Sequence, residues 1–426
     1  MKPEVKNISG WGNFPVLKAT VLRPVSGEEV VQHVKNYPSL LARGNGKSYG
    51  DSSLHTVVVD MKGLNKIISE MSNTIEVEAG ITIEALLQHI IPKKKFLPVT
   101  PGIKSITIGG AIASDVHGKN HLHQGSFFNH TISFKLITED GSLINCSRKE
   151  NKEYFLKGFG GMGLSGIIIS AVIAVTPIET TWIKEEQAFA TSLNEIFTLM
   201  EANSHKPYMA TWIDLLGKEI KGIIKTGSWV AEQEFIKGKA SIVVAVGHNK
   251  SVPFLFPFAL PAFVFKWYNR NYFNKAKKIL SHNIHYNDFF YPLDSIKNWN
   301  HVYGPKGLLQ YHFVLPLQSS KDGIETVIAL VKKSKATCTL AVMKLFGKPN
   351  EETPHSFPIE GYNLALDFIQ NKHAIVLFPL LDSVVKSFGG KVYKTKDAIS
   401  TLPEPVLLTS KFKSLQNDRY ASKKIT

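Results

Sequence analysis

The chain has 426 residues, 43% hydrophobic and 20% charged, which is long enough for two lobes and has the balance of a soluble globular protein. It carries 50 Lys and Arg against 35 Asp and Glu, a formal charge of +15 that favours anionic partners, and no helix-turn-helix, zinc-finger or RNP pattern directs that charge to nucleic acid. No run of about 18 apolar residues is present to span a bilayer. The start, MKPEVKNISGWG, has no apolar signal region, and Cys146 and Cys338 alone make no disulfide framework, so a cytoplasmic, reducing location is expected.

In chain order, the first chemical signal is ARGNGKSYGD, Ala42 to Asp51, in which a short apolar strand runs into Gly44, Gly46 and Gly50. Glycines let a backbone turn tightly and present its N–H groups to an anion. The loop is not a Walker loop, because the earlier glycine such a loop needs would fall at Leu41. Strands are predicted over 56–61 and 75–79 and a helix over 82–92.

The second signal is PGIKSITIGGAIASDVHGKN, Pro101 to Asn120, where Gly109 and Gly110 precede the small residues Ala111, Ala113 and Ser114. That pattern implies backbone close against something bulky and flat. His117, His121 and His123 follow, but their spacing fits no zinc pattern, so no metal is expected. Residues 133–147 read as a hairpin turning at Asp140-Gly141.

The third signal, Gly158-x-Gly160-x-x-Gly163, has the spacing of a dinucleotide-binding fingerprint. Such a motif needs a strand before it and a helix after it. Here ENKEYFLK reads as helix and GIIISAVIAV as strand, so the order is inverted and a nicotinamide site is not expected. Three glycine-rich loops within 170 residues point to one large anionic cofactor without naming it.

Beyond about residue 180 the composition becomes more aromatic. Val252 to Phe265 is uncharged and holds Pro253, Pro257 and Pro261; it is followed by Lys266, Trp267, Tyr268, Arg270, Tyr272, Lys275, Lys277 and Lys278. Two readings stand side by side: a surface dipping into an anionic membrane, or a buried inter-lobe loop followed by a solvated helix.

The three loops, in this order, resemble the FAD-binding (PCMH-type) domain of the vanillyl-alcohol oxidase superfamily, which includes the aldonolactone oxidases. Further blocks extend the likeness: GWG at 10–12, YPLDSIKNWNHVYGPKGLLQYHFVLP, KLFG at 344–347, SFPIEGYNLALDF and FGGKVYKTKD resemble members that act on polyprenylphosphoryl ribose. The likeness is weak over residues 180–280 and the last 25.

The resemblance implies an α+β fold. A PCMH-type FAD-binding domain would span 1–178, and a substrate domain on an antiparallel sheet with helices 179–390. Residues 391–426 would return to the first domain. It implies non-covalent FAD, because Lys47 stands where aldonolactone oxidases carry the histidine that bonds to flavin. It implies oxidation of the 2′-hydroxyl to a 2′-keto sugar by hydride transfer to flavin N5, the first half of an epimerisation to arabinose used in cell-wall arabinan. A short-chain reductase partner would complete it, and the enzyme would touch an anionic membrane peripherally. The alternatives are a soluble sugar-alcohol or aldonolactone oxidase on the same scaffold, and a non-catalytic flavin-binding protein.

Residue by residue, the resemblance carries FAD contacts to Arg43, Gly44, Asn45, Gly46, Lys47, Ser48, Tyr49 and Asp51 in the first loop. In the second they fall on Pro101, Gly102, Thr107, Gly109, Gly110, Ser114, His117 and Asn120, and in the third on Gly163, Gly166 and Ile167. Substrate contacts fall on Lys119, Gln310, His312, Lys344, Asn363 and Tyr393. Lys396 is the expected base, since burial or a neighbouring cation lowers a lysine pKa. Tyr49 or His117 would assist it, and Lys344 would bind an anionic group. Two positions depart from the family: Ala365 stands where a pocket cysteine is found, and His312 where a glutamine is found.

Overall fold

The computed structural model describes residues 3–235, 250–252, 258–348, 353, 355–406 and 410–422. Pro253 and Pro257 of the apolar segment lie outside the described residues.

The first lobe is built on two sheets. One orders the strands Glu4–Ser9, Val16–Leu22, Val57–Asp60 and Leu41–Arg43, and the other Ile67–Glu70, Thr74–Glu78, Ile167–Ala174, Thr131–Ile137 and Leu143–Ser147. Strand 167–174 pairs antiparallel with 74–78 and 131–137, so its alternate residues Ala171 and Ile173 reach a core with Val77 and Phe134. The predicted helix appears as Ile83–Ile90, capped by the Thr82 hydroxyl, which accepts from the Ala85 N–H. The hairpin forms, with Gly141 at φ +86° in its turn. Helix Lys152–Gly158 precedes the third glycine loop and strand 167–174 follows it, the inverted order read from the sequence.

The second lobe is an eight-stranded sheet ordered Ser281–His285, Trp182–Ala190, Lys221–Trp229, Tyr208–Asp214, Cys338–Phe346, Gly361–Ile369, Leu308–Pro316 and Lys391–Val392. Helices Leu193–Ala202, Ser320–Lys333 and Lys372–Ser387 bury their apolar stripes against one face of it, where Tyr311, Phe313, Met343, Leu364 and Phe368 are waiting. Because strand side chains alternate, the residues between those core positions project to the other face, toward the first lobe.

The final segment ties the lobes together. Phe412 forms a parallel bridge with Leu40 and packs in the core with Val59 and Ile167. Arg419 donates to both Asp51 oxygens at 2.9 and 3.1 Å and to Asp397 at 2.9 Å. The three groups are largely buried, so this fork fixes the tail on the first glycine loop.

Candidate active site

A cavity of about 300 Å³ lies where the three glycine loops meet the free face of the eight-stranded sheet. Its floor follows directly from register. Gln310 pairs across Asp367 to Leu340, His312 across Ala365 to Val342, and Val314 across Asn363 to Lys344. Three strands of period two therefore deliver Gln310, His312, Asp367, Ala365 and Lys344 to one surface.

The opposite walls come from the loops. Gly44 to Tyr49, Pro101, Gly102, Thr107, Gly109, Gly110, Ser114, His117, Gly163 and Gly166 all border the cavity. Gly46 adopts φ +62°, a turn that L side chains rarely make. Gly50 has a different reason: a Cβ there would lie 1.8 Å from the Asp397 carbonyl oxygen. It is glycine because the tail passes in contact with it. The Tyr49 N–H donates to the Thr395 carbonyl at 3.0 Å and the Tyr393 N–H to the His312 carbonyl at 2.8 Å, which sets Tyr393 and Lys396 on the cavity edge.

Six expected contacts stand behind the wall instead. Arg43 donates to the carbonyls of Ser9 and Ser53, and Asp51 is engaged by Arg419. Asn120 donates to the Pro98 carbonyl, and Ile167 is core, with its neighbour Ile168 on the wall. Lys119 donates to the Phe289 carbonyl with its ammonium 4.1 Å from that ring's centre, and burial lowers its pKa to about 7. Asn363 bonds to His312 and to the Lys344 carbonyl.

Asp367 is the main residue that sequence reasoning missed. The signal was present: in NLALDF the period of two puts Asn363, Ala365 and Asp367 on one face. Met162, Ser53 and Thr395 also line the cavity and carried no sequence signal.

The electrostatics follow from burial. Lys396 stands with its ammonium 3.6 Å from the centre of the Tyr49 ring. Burial lowers its pKa, while the Asp367 carboxylate opposes that shift. Burial in turn raises Asp367, whose Oδ1 accepts from the Gln310 amide and whose Oδ2 has no hydrogen-bond partner among the described residues. Lys344 falls to about 8 through burial alone.

Burial, reinforced by the Lys344 charge, keeps His117 and His312 neutral. The Asn363 amide donates to the Lys344 carbonyl, so its oxygen faces His312 Nε2 at 3.2 Å and that nitrogen carries the proton. His312 Nδ1 is then a lone-pair acceptor on the cavity wall, without a partner among the described residues. Among the described residues, no group of three or more His, Cys, Asp or Glu is placed to hold a metal.

The residues suit a large flavin nucleotide. Nothing lies within 4 Å of a Cβ built on Gly102, and the nearest atom to one on Gly163 is 4.0 Å away, so both open toward the cavity. Gly109, Gly110, Ala113 and Ser114 form a thin wall that a planar ring can approach. Residues 19–147 match the family model for an FAD binding domain. Fold and site thus define an FAD-dependent oxidoreductase built on a PCMH-type domain.

The chain is 33% identical over 422 residues to decaprenylphosphoryl-β-D-ribose oxidase of Mycolicibacterium smegmatis, covering 93% of this chain and 90% of that one. Shorter matches reach mitochondrial D-2-hydroxyglutarate dehydrogenase of Bos taurus, 28% over 38% of this chain and 32% of the relative. L-gulonolactone oxidase of the same organism matches at 23% over 38% and 37%. The chain belongs to the decaprenylphosphoryl-β-D-ribose oxidase family.

Proposed function

We propose that this enzyme oxidises the 2′-hydroxyl of a polyprenylphosphoryl-β-D-ribose to the 2′-keto sugar, the first half of an epimerisation to arabinose. The observation that carries the reading is the match along nearly the whole chain, substrate-side sheet included, to an enzyme named for that substrate. The gulonolactone oxidase match covers only 38% of the chain, which leaves the aldonolactone alternative with weaker support.

FAD supplies the hydride-accepting ring. On the protein side, Lys396 is proposed to take the hydroxyl proton, because its lowered pKa leaves a fraction of neutral amine near neutral pH. The Asp367 carboxylate, held by the Gln310 amide, balances the charge of Lys396. The Lys344 ammonium binds an anionic oxygen of the substrate or cofactor. His312 Nδ1 accepts from a sugar hydroxyl, a role that a glutamine side-chain oxygen fills equally well. Lys119, Asn363, Asn120, Arg43 and Asp51 support the wall from behind. FAD is held without a covalent bond, since Lys47 occupies the attachment position and its ammonium rests 3.6 Å from the centre of the Trp11 ring.

We further propose a cytoplasmic enzyme in peripheral contact with an anionic membrane, handing its keto product to a short-chain reductase. Among the described residues no helix is long and apolar enough to cross a membrane. The test of the reaction is anaerobic: farnesylphosphoryl ribose should bleach the flavin and free pentoses should not. Equal bleaching by a free pentose or an aldonolactone would replace the lipid-phosphate reading.

A further inference from the structure

Between Phe235 and Asn287 the chain runs 53 residues with eight Lys or Arg and no Asp or Glu, so this stretch holds +8 of the formal +15. Within it, helix Ala262–Ala276 packs Asn269, Phe273 and Ala276 inward, Phe273 against Ile223. A second stripe at i, i+3, i+4 and i+7, namely Phe263, Lys266, Trp267 and Arg270, faces solvent. Phe263 is 72% exposed and Trp267 66%, with Phe258 and Tyr268 also above half.

Among the described residues these are the only exposed phenylalanines and tryptophan of the protein. Scattered exposed aliphatics are ordinary, but all the described exposed aromatics except Tyr154 gathered on one helix and at Phe258 just before it are not. Lys275 on the helix and Lys277 and Lys278 just past its end extend the positive charge, and Ile279 and Leu280 add exposed apolar surface beyond them.

We propose that this helix is the surface on which the enzyme sits in an anionic lipid bilayer, with Phe263 and Trp267 in the acyl–headgroup boundary and Lys266 and Arg270 among the lipid phosphates. Charge decides the occupant. An aromatic stripe without basic residues would suit a neutral protein groove. Five cations on or just past the helix, Lys266, Arg270, Lys275, Lys277 and Lys278, with no Asp or Glu in residues 258–287, suit a surface of many negative headgroups, and the aromatic tips need an apolar phase that nucleic acid phosphates do not offer.

The face is also joined to the active-site wall. Phe265, on the same helix, lies 6.0 Å from the Tyr303 ring, and the Leu260 N–H donates to the Val302 carbonyl at 2.9 Å. Tyr303 packs in one cluster with Tyr49, which borders the cavity. Phe265, Tyr303 and Tyr49 thus connect the docking helix to the cavity wall. This part of the inference rests on the lipid-phosphate reading above: a substrate whose tail stays in the bilayer is presented beside the site that oxidises its head.

The test is co-sedimentation of the flavin-loaded full chain with vesicles of phosphatidylcholine alone or mixed with phosphatidylglycerol. The enzyme should pellet with the mixed vesicles, not the neutral ones, and added salt should release it. The double variants Phe263→Ser/Trp267→Ser and Lys266→Glu/Arg270→Glu should each bind about tenfold more weakly. Both should keep the wild-type Tm and the same bleaching by farnesylphosphoryl ribose in free solution.

An enzyme that stays in the supernatant with anionic vesicles overturns the proposal. So do double variants that pellet as wild type does. A shift in oligomeric state of the aromatic variant on size exclusion also overturns it, by making the face an interface between copies. Vesicle binding without any bleaching by the soluble probe would sink the substrate reading and leave the docking helix standing.

Discussion

Lys396 and Tyr49, one from the tail and one from the first glycine loop, meet with the ammonium 3.6 Å from the centre of the phenol ring. A desolvated contact of this kind is worth about 1–2 kcal/mol and fixes where the amine stands. Lys396→Ala should keep the yellow colour and lower the rate of anaerobic flavin reduction by about a hundredfold or more. Tyr49→Phe, which keeps the ring, should lose much less than Tyr49→Leu. Stopped-flow bleaching decides; near-normal turnover in Lys396→Ala would assign the base elsewhere, with Asp367 Oδ2 the next candidate.

The pH profile of flavin reduction gives the same residue a second test. Burial depresses Lys396, so the active neutral amine grows in as pH rises through a limb well below the ordinary lysine range. Asp367→Asn removes the carboxylate that opposes this depression, and the limb should move to lower pH. A limb that stays put in Asp367→Asn shows that Lys396 does not sense that charge.

Acid stability should depend on His121, which is buried against Phe346 and has its pKa lowered to about 3 by burial and the Lys344 charge. Between pH 6.5 and 3 the unfolded chain binds this proton and the folded one does not. Stability therefore falls as pH falls through that window, by up to about 1.4 kcal/mol per unit from this group. His121→Phe should flatten the fall of Tm with acid over the same window. An unchanged slope would mean that other groups dominate it.

The tail clamp predicts large structural costs at two positions. Gly50→Ala puts a methyl 1.8 Å from the Asp397 carbonyl, which cannot yield without moving the segment that carries Lys396. Arg419→Met leaves Asp51 and Asp397 buried without their partner, a change of about 3–5 kcal/mol. Both variants should show lowered Tm together with loss of flavin reduction. Full activity at wild-type Tm in either would show that the tail is not held this way.

Two chemical predictions concern single positions. Acid precipitation of the wild-type enzyme should release all its flavin into the supernatant, because Lys47 offers no attachment; flavin left on the polypeptide would refute this. Thiol-directed reagents should leave the cavity unlabelled, since Ala365 lines it and Cys146 and Cys338 are buried, Cys146 being pushed up to about 12. Ala365→Cys should become labelled there, read by mass spectrometry of the peptide.

Much of the first lobe was legible in the chain because its signals are local. The strand reading over 75–79 and the apolar run Gly166 to Val175 marked strands 74–78 and 167–174, Asp140-Gly141 marked the hairpin, and helix-before-strand around Gly158 removed the nicotinamide reading. Twenty of the residues expected at the site do border one cavity. The six that do not are matched in sequence but engaged elsewhere: Ile167 packs in the core while Ile168 faces in, and Asn363 is taken up by bonds to His312 and the Lys344 carbonyl. A resemblance carries over a position, and the direction of its side chain depends on strand phase.

By itself the sequence determined the glycine loops, their order and the lysine at position 47, because turn chemistry and the absence of an attachment histidine are properties of consecutive residues. Only the tertiary structure decided that Gly50 serves the tail, that Asp367 faces Lys396, and that Phe263 and Trp267 share an exposed stripe with Lys266 and Arg270. Each of those depends on which strands pair, in which register, and on which helix face is left uncovered. Such relations are set by burying side chains from hundreds of residues apart, and no local stretch of chain encodes them.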